Sequence, residues 1–449
     1  MLVFFFLATR LFLYFYLGVH NAHSISYTWH LLDLDLLQND LLDSLLLLHS
    51  QPPLWNLFIG LLLKIFDGDQ PNFYHFIYLY HLTLTLITIF IVNNIIIRNN
   101  IDRIKSFIFI FFFIILNPGI IFYESLNYYA HTIFFLSFLF FYNFYLFIRS
   151  LEYKYIFYCY IIILLKTLIW SAYHPIILIL FYSFLFFAFK QTRKRINFLI
   201  FSLFLLLSYS PQLKNKIIYH SSLTSHFGFA LATTVIPAAT FPECSFGAIT
   251  ANPNPNTRHF EEKFVQENKN RLNLNFKHSS IYGEKSRYNS IALINMSREC
   301  SIKTLNFIRD NPLSYTKNII VEFFSIHGQL TIDFGNYIDQ PSGWAFVQKI
   351  TLKIDKNSYY KLIRQLINFL FLSFVYVYFL FKLMNKKSFV PDKNLIVMLL
   401  LKYFYILIIG LFVSKYEGTR FIYAEYVFFV FFFIYILSKN NSLFLKKTA

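Results

Sequence analysis

Apolar residues run through this chain in long blocks, and only the stretch from Asp33 to Phe66 breaks them into a finer pattern. Between Asp35 and His49 the spacing is helical. At about 100° per residue, Leu37, Leu41, Leu42, Leu45 and Leu48 fall in one arc, with Asp35, Asn39, Asp40, Asp43 and Ser44 opposite. The pattern predicts a helix lying flat on a bilayer surface with its carboxylates in water. Pro52 and Pro53 end that helix and can open the next, because proline is tolerated in a first helical turn and not in the interior. Residues 54–66 then offer 13 mostly apolar positions. Spanning a ~30 Å hydrocarbon core takes roughly 20, so this segment reads as a second interfacial helix.

The longer blocks read as membrane spans. The first, 1–18, is interrupted by Arg10 and has neither a basic leader nor a small-residue cleavage site, so it is expected to be retained. Nine more follow at 72–97, 106–122, 127–148, 155–171, 174–189, 196–212, 361–381, 394–414 and 421–438. Lys and Arg sort the gaps between them. Sixteen fall in 98–105, 149–154, 190–195, 382–393 and 439–447, against only Lys64, Lys415 and Arg420 in the short alternate gaps. Both termini are therefore expected in the cytoplasm and the acidic segment outside; a span at 54–66 would break the alternation. The chain divides into an N-terminal membrane module, 1–212, with a first outward loop at 19–71, a large outward region at 213–360, and C-terminal membrane helices at 361–449. Within the large region, 293–308 and 311–327 carry mixed helical patterning, and Asn311-Pro312 opens a third candidate interfacial helix.

Composition agrees with this reading. A chain 57% hydrophobic and 21% aromatic, with mean hydropathy +0.50, exceeds what a soluble core absorbs. Its net charge of +17 sits in clusters between apolar runs, which argues for membrane orientation and against nucleic acid as a partner. The three cysteines have no zinc-type spacing. Cys244 and Cys300 share the outward region, where an oxidising compartment permits a disulfide; two free thiols are the alternative.

Candidate chemistry collects at the outward mouths. The first loop holds Asp33, Asp35, Asp40, Asp43, His49 and Gln51, the next outward gap Tyr123 and Glu124, and Lys166 precedes Tyr173 and His174; Glu417 and Arg420 precede the last span. Ionisable groups at membrane depth are costly and mark cavities or pathways. Cations would hold a lipid-linked phosphate as it leaves, while a carboxylate takes the proton of a hydroxyl attacking the sugar from the opposite face. Simpler roles compete: a solvated helix face for the aspartates, an N-cap for Asp33 or Asp35, ordinary loop positions for Glu124 and His174, and a snorkelling Lys166.

The run from Asp33 through HSQPPLWNLF (His49 to Phe58) resembles the first outward loop of family 39-type glycosyltransferases of the GT-C superfamily, relatives of protein O-mannosyltransferases and lipid A aminoarabinose transferases. EGTRF (Glu417 to Phe421) resembles the group's element before the last helix, and the stretch Ser286 to Tyr315 a periplasmic-loop segment. The resemblance implies an all-α polytopic bundle of about ten transmembrane helices, and inverting transfer from a polyprenyl-phosphate sugar to an unidentified acceptor at the outer face of a bacterial plasma membrane. It implies Asp33 as the base with Asp40 as its rival, Tyr123-Glu124 as a second acidic site, and Lys166 and His174 near a basic position. Glu124 would orient the acceptor or, with the donor phosphate, hold a divalent cation. Nine residues precede Arg10, leaving a start further upstream open.

Two other classes were weighed. An O-antigen polymerase or ligase would rely on Arg-rich outward loops, whereas the first loop here is acidic. A lipid or sugar transporter would show inverted repeats, or charges and Gly/Pro breaks in mid-helix. No repeat is visible, and apart from Arg10, Lys166 and Lys402 the spans carry few charges away from their ends.

The topology is tested by a single cysteine placed at Asp69 and probed with a membrane-impermeant thiol reagent. Labelling from outside intact cells is expected, and labelling only after permeabilisation would invert every segment that follows.

Overall fold

The computed structural model describes residues 1–17, 31–67, 70–126, 128–221, 278–282, 284–328, 358–385, 390–413 and 423–438, with isolated positions between 227 and 266. Among these there is no strand. The N-terminal helices are α1 (Leu2–Leu17), α2 (Leu34–Asn39), α3 (Leu41–Leu46), α4 (Leu54–Ile65), α5 (Gln70–Arg98), α6 (Arg103–Ile110) and α7 (Pro118–Ser125). Next come α8 (Ala130–Ser150), α9 (Tyr153–Ile169), α10 (Ile176–Ala188) and α11 (Arg195–Tyr219). The stretch 213–360, expected to face outward, contributes α12 (Ala292–Asp310) and α13 (Pro312–Gly328), and the C-terminal part α14 (Ser358–Met384), α15 (Val390–Val413) and α16 (Val427–Leu437).

Residues 72–98 of α5, together with α8 and α11, are long and apolar enough to cross a membrane. The helical run 103–115 and α7, bent by 45°, add a fourth crossing if taken together. Shorter apolar helices at 2–15, 54–65, 176–188, 373–384 and 427–437 complete a helical protein of membrane type.

Local chemistry explains the boundaries. Asp102 caps α6 by accepting from the amides of Ile104 and Lys105 at 2.9 and 3.1 Å. Asn117 does the same for α7, accepting from Gly119 at 2.8 Å, with Pro118 in the first turn. Because Pro118 brings no N–H to the preceding turn, the chain loosens into a π turn over Phe111–Ile115 and bends. Ile115 O loses its own helical donor because the Gly119 amide bonds Asn117 Oδ1, and is left to find a partner outside its helix.

The centre of the bundle is α8, which packs against α5, α7, α9, α15 and α16 and is buried nearly all round. Outer helices show the reverse: α11 turns Phe198, Leu199, Leu203 and Leu206 outwards. That helix also continues through Pro211 to Tyr219, past the expected end of its span at residue 212.

The acidic segment differs from its expected form. A single helix over Asp35–His49 is replaced by α2 and α3, separated at Asp40, whose φ of −134° and ψ of 45° leave the helical region. The break resets the helical phase. Leu37, Leu41 and Leu48 are buried as expected, but Leu42 is 77% exposed and Ser44, assigned to the wet face, is buried. Helix α4 has its expected extent and is too short to span. Its Trp55, Ile59 and Leu63 face inwards, and it packs on α2, α3, α5 and α9. Gly60 permits that approach: a Cβ there would lie 2.4 Å from Leu41 Cδ1 and 3.1 Å from the backbone oxygen of Leu37. In the outward region α12 and α13 form where patterning placed them, and Cys244 is disulfide-bonded to Cys300 of α12 with 5.7 Å between Cα atoms.

A branched side chain at residue 60 should force α4 away from α2. Gly60→Val is expected to lower stability by about 1–3 kcal/mol, outweighing the helix propensity gained over glycine. Thermal unfolding in detergent measures this, and Leu41→Ala added to Gly60→Val should cost less than the sum of the two single changes.

Candidate functional site

The acidic loop meets the outward region along a line of polar bonds. Asp33 is the N-cap of α2 and accepts from the Asp35 amide at 3.1 Å, which realises the capping role weighed for it. Asp35 pairs with Lys285 from the 3₁₀ turn Glu284–Asn289. That ammonium, with the Asn39 amide, holds the Asp35 carboxyl below its ordinary value of 3.8. A depressed folded-state value stabilises the pairing above the unfolded value, and the contribution fades as pH falls through the lowered one, so it is complete at neutral pH. The pair is half exposed and will weaken in salt. Asp40 occupies the N-cap position of α3 without capping it and meets His278 Nε2 at 2.7 Å.

Just beyond, α3 ends and leaves carbonyls to be satisfied. Tyr219 OH donates to Leu47 O at 2.6 Å, Lys214 Nζ donates to Leu48 O, and Asn289 Nδ2 reaches Leu47 O at 3.2 Å. The ammonium also sits where a helix C-terminus favours positive charge. Asn289 Oδ1 accepts from the amides of His49 and Ser50 at 2.8 and 3.1 Å. His49 is buried with its ring edge-on to Tyr219, 4.9 Å between centroids. Gln51 Oε1 accepts from Ser171 Oγ at 2.9 Å, joining the proline break to the α9–α10 junction. There the His174 amide donates to Tyr405 OH at 2.7 Å.

Beneath this rim lies a cluster of buried charge. Lys166 Nζ donates to Glu425 Oε1 at 2.9 Å and to Ser137 Oγ at 2.6 Å, and Tyr173 OH donates to the same Glu425 oxygen at 2.7 Å. Lys402 Nζ stands 3.3 Å from that oxygen and over the ring of Phe140 at 4.4 Å. Two lysines share one carboxylate. All three are about 1% exposed, so with every group charged the cluster holds one positive charge in excess.

A second buried network anchors the first helix. Arg10 Nε and Nη2 donate to the two oxygens of Glu124 at 2.7 and 3.0 Å, and Nη1 donates to Ile115 O at 2.6 Å, the carbonyl freed by the α6–α7 bend. Thr85 Oγ1 donates to Glu124 Oε1 at 2.6 Å and lies 3.0 Å from His131 Nε2, while His131 Nδ1 meets Tyr423 OH at 2.6 Å. Tyr423 stacks on Tyr123 with 3.9 Å between centroids.

The structure therefore distributes the expected site residues over separate groups. Asp33 and Asp40 lie at the loop contact, His49 and Gln51 in the rim, Lys166 in the lysine cluster, and Glu124 with Tyr123 in the Arg10 network. Glu124 is 1% exposed, with both oxygens engaged by Arg10. Glu417 and Arg420 fall outside the described residues. Sequence reasoning passed over Glu425 and gave Lys402 no role. A signal was present, since charges inside apolar runs need partners at membrane depth and Arg10, Lys166 and Lys402 call for carboxylates. Lys285, His278 and Asn289 carried no local signal.

No protein-family model, curated protein or solved structure matches the chain.

If Glu124 anchors Arg10, Glu124→Gln leaves a buried guanidinium without its counter-charge and should cost roughly 3–5 kcal/mol. Arg10→Met combined with Glu124→Leu should recover most of that loss, as read from unfolding temperature and monodispersity in detergent. A Glu124→Gln protein as stable as the parent would assign the carboxylate to something other than anchoring.

Proposed function

We propose that the chain is a GT-C-type glycosyltransferase that moves a sugar from a polyprenyl-phosphate donor to an acceptor hydroxyl at the outer face of a bacterial plasma membrane. Its bundle has about ten spans and both ends in the cytoplasm. The observation that carries this reading is the Lys166–Lys402–Glu425 cluster. Two buried lysines sharing one carboxylate lie under the proline break of an acidic loop, tied to it by Gln51–Ser171 and by Tyr173.

In this mechanism the donor's phosphate approaches Lys166 and Lys402 at headgroup depth, taking a share of the charge that Glu425 neutralises, while the lipid tail stays in the bilayer. The acceptor oxygen bonds to the anomeric carbon as the bond from that carbon to the phosphate oxygen breaks. Asp33, with Asp40 as rival, takes the acceptor proton, and the lysines stabilise the departing phosphate. Glu124 is assigned to holding α1, α5 and α7 together behind the mouth. A lipid or sugar transporter is the second reading, favoured by the same buried charges, of which Lys402 lies in mid-helix. It predicts that a labelled lipid-linked sugar crosses the membrane intact.

Donor binding and single-turnover transfer, measured separately, test the proposal. Asp33→Asn should lower transfer by roughly 10²- to 10⁴-fold with binding retained, and Asp40→Asn should be milder. Lys166→Ala should weaken donor binding itself. An inactive but folded Asp40→Asn beside a fully active Asp33→Asn would move the base to Asp40, and intact transport without transfer would favour the second reading.

A further inference from the structure

We infer that the basic turn 190–195, between α10 and α11, is a binding site for the headgroup of an anionic phospholipid whose acyl chains lie along the apolar outer sides of those two helices. Four of its six residues, Lys190, Arg193, Lys194 and Arg195, are cationic, and all four are exposed. Helix α11 begins at Arg195 and is long and apolar enough to cross a membrane, so the turn stands at headgroup depth. It lies at the opposite end of α11 from Lys214 and Tyr219, which hold the acidic loop. The site is therefore separate from the proposed transfer site, and its test needs no sugar donor.

Orientation of the chain in a membrane accounts for basic gaps in general, but this turn differs from its neighbours. The 98–105 gap sets Asp102 among Arg98, Arg103 and Lys105, and the 149–154 gap sets Glu152 beside Arg149 and Lys154. Glu152 pairs with Lys154 at 2.6 Å. The 190–195 turn has no acid of its own, and the sequence holds no Asp or Glu between Glu152 and Glu243. Among the described residues none of its four cations has an ion-pair partner. Like charges gathered this closely repel one another until an anion joins them.

The turn is also built by other groups. Tyr153 OH donates to Gln191 O, and Asn197 Nδ2 donates to Thr192 O at 2.9 Å. Thr192 is buried, with its hydroxyl shared between the carbonyls of Leu185 and Phe189 at 2.7 Å each. Of the cations only Arg193 takes part, through Nε to Phe186 O at 2.8 Å, while Lys194 Nζ lies 5.4 Å from the centre of the Tyr153 ring. The backbone is thus fixed mainly by neutral side chains, and the cations keep most of their donors for a ligand. A group fixed in advance loses less conformational freedom on binding. Phe187 on the last turn of α10 is 78% exposed, and Ile196 and Leu199 on α11 are 55% and 54% exposed. Positive charge bordered by apolar walls on two helices suits a phosphate that carries acyl chains better than a soluble anion.

Native mass spectrometry of the full chain in detergent micelles, titrated with phosphatidylglycerol and with phosphatidylcholine of the same acyl chains, tests the site. Tighter retention of phosphatidylglycerol is expected. Lys190→Gln, Lys194→Gln and Arg195→Gln combined should weaken that retention by about tenfold or more, since each cation near an anionic headgroup contributes. Lys190→Arg with Lys194→Arg keeps the charge and should keep the binding. Arg98→Gln, Arg103→Gln and Lys105→Gln combined remove as many charges elsewhere and should leave it unchanged, and unfolding temperatures confirm that each variant is folded. Equal retention of the two lipids, or an equal loss in the 98–105 variant, would overturn the site. Displacement of phosphatidylglycerol by millimolar inorganic phosphate would assign the turn to a soluble anion and overturn the lipid.

Discussion

Glu124 and Glu425 hold this bundle together, because a cation in a poorly hydrated helix interior must be met by a counter-charge or it destabilises the packing around it by several kcal/mol. Glu124 engages Arg10 on α1, with Thr85 on α5, while Arg10 also accommodates the carbonyl exposed by the α6–α7 bend. Glu425 gathers Lys166 on α9, Lys402 on α15 and Ser137 on α8. Each carboxylate thus fixes the mutual placement of helices whose remaining contacts are mostly phenylalanine and isoleucine. Apolar surfaces of that kind pack well in more than one rotation, and the paired charges select one.

The two networks are neighbours. His131 and Ser137 lie on the same helix, and Tyr423 and Glu425 are two residues apart at the entry to the last one, so the Arg10 and lysine clusters share one central column. The loop after α3 meets α11 and the 281–294 segment through hydrogen bonds and through a small apolar cluster of Leu47, Ile218, Tyr219, Ile281, Ile291 and Ile294. The end of α3 would be an unsatisfied terminus without Tyr219, Lys214 and Asn289. These three side chains come from α11 and the 3₁₀ turn Glu284–Asn289, so the shape of the acidic loop depends on segments far from it in sequence. The proposed chemistry needs this arrangement, since it asks an acidic loop and a buried cationic cluster to serve one amphiphilic substrate.

Hydrophobic blocks and prolines were enough to recover the helical membrane class, the approximate extent of most described helices, the short α4 and a helix opening at Pro312. Those features follow from local burial and local backbone chemistry, which neighbouring residues determine. The disulfide between Cys244 and Cys300 was open in the sequence as one of two outcomes, because compartment permits a pairing that only proximity completes. After Asp40 the phase was misread at Leu42 and Ser44, since a single non-helical residue turns the side chains that follow, and nothing in its identity forces the break.

By itself the sequence determined the helical membrane class and placed Arg10, Lys166 and Lys402 inside apolar runs, where a charge is costly. Only the tertiary structure decided their partners. It gave Glu124 to Arg10 and placed Glu425 between two lysines, and it brought His278 and Lys285 to the aspartates of the first loop. The physical reason is that the need for a counter-charge is set by the group and its hydration. The identity of the partner depends on helix rotation and approach, which arise from contacts between helices, most of them joining residues more than a hundred positions apart.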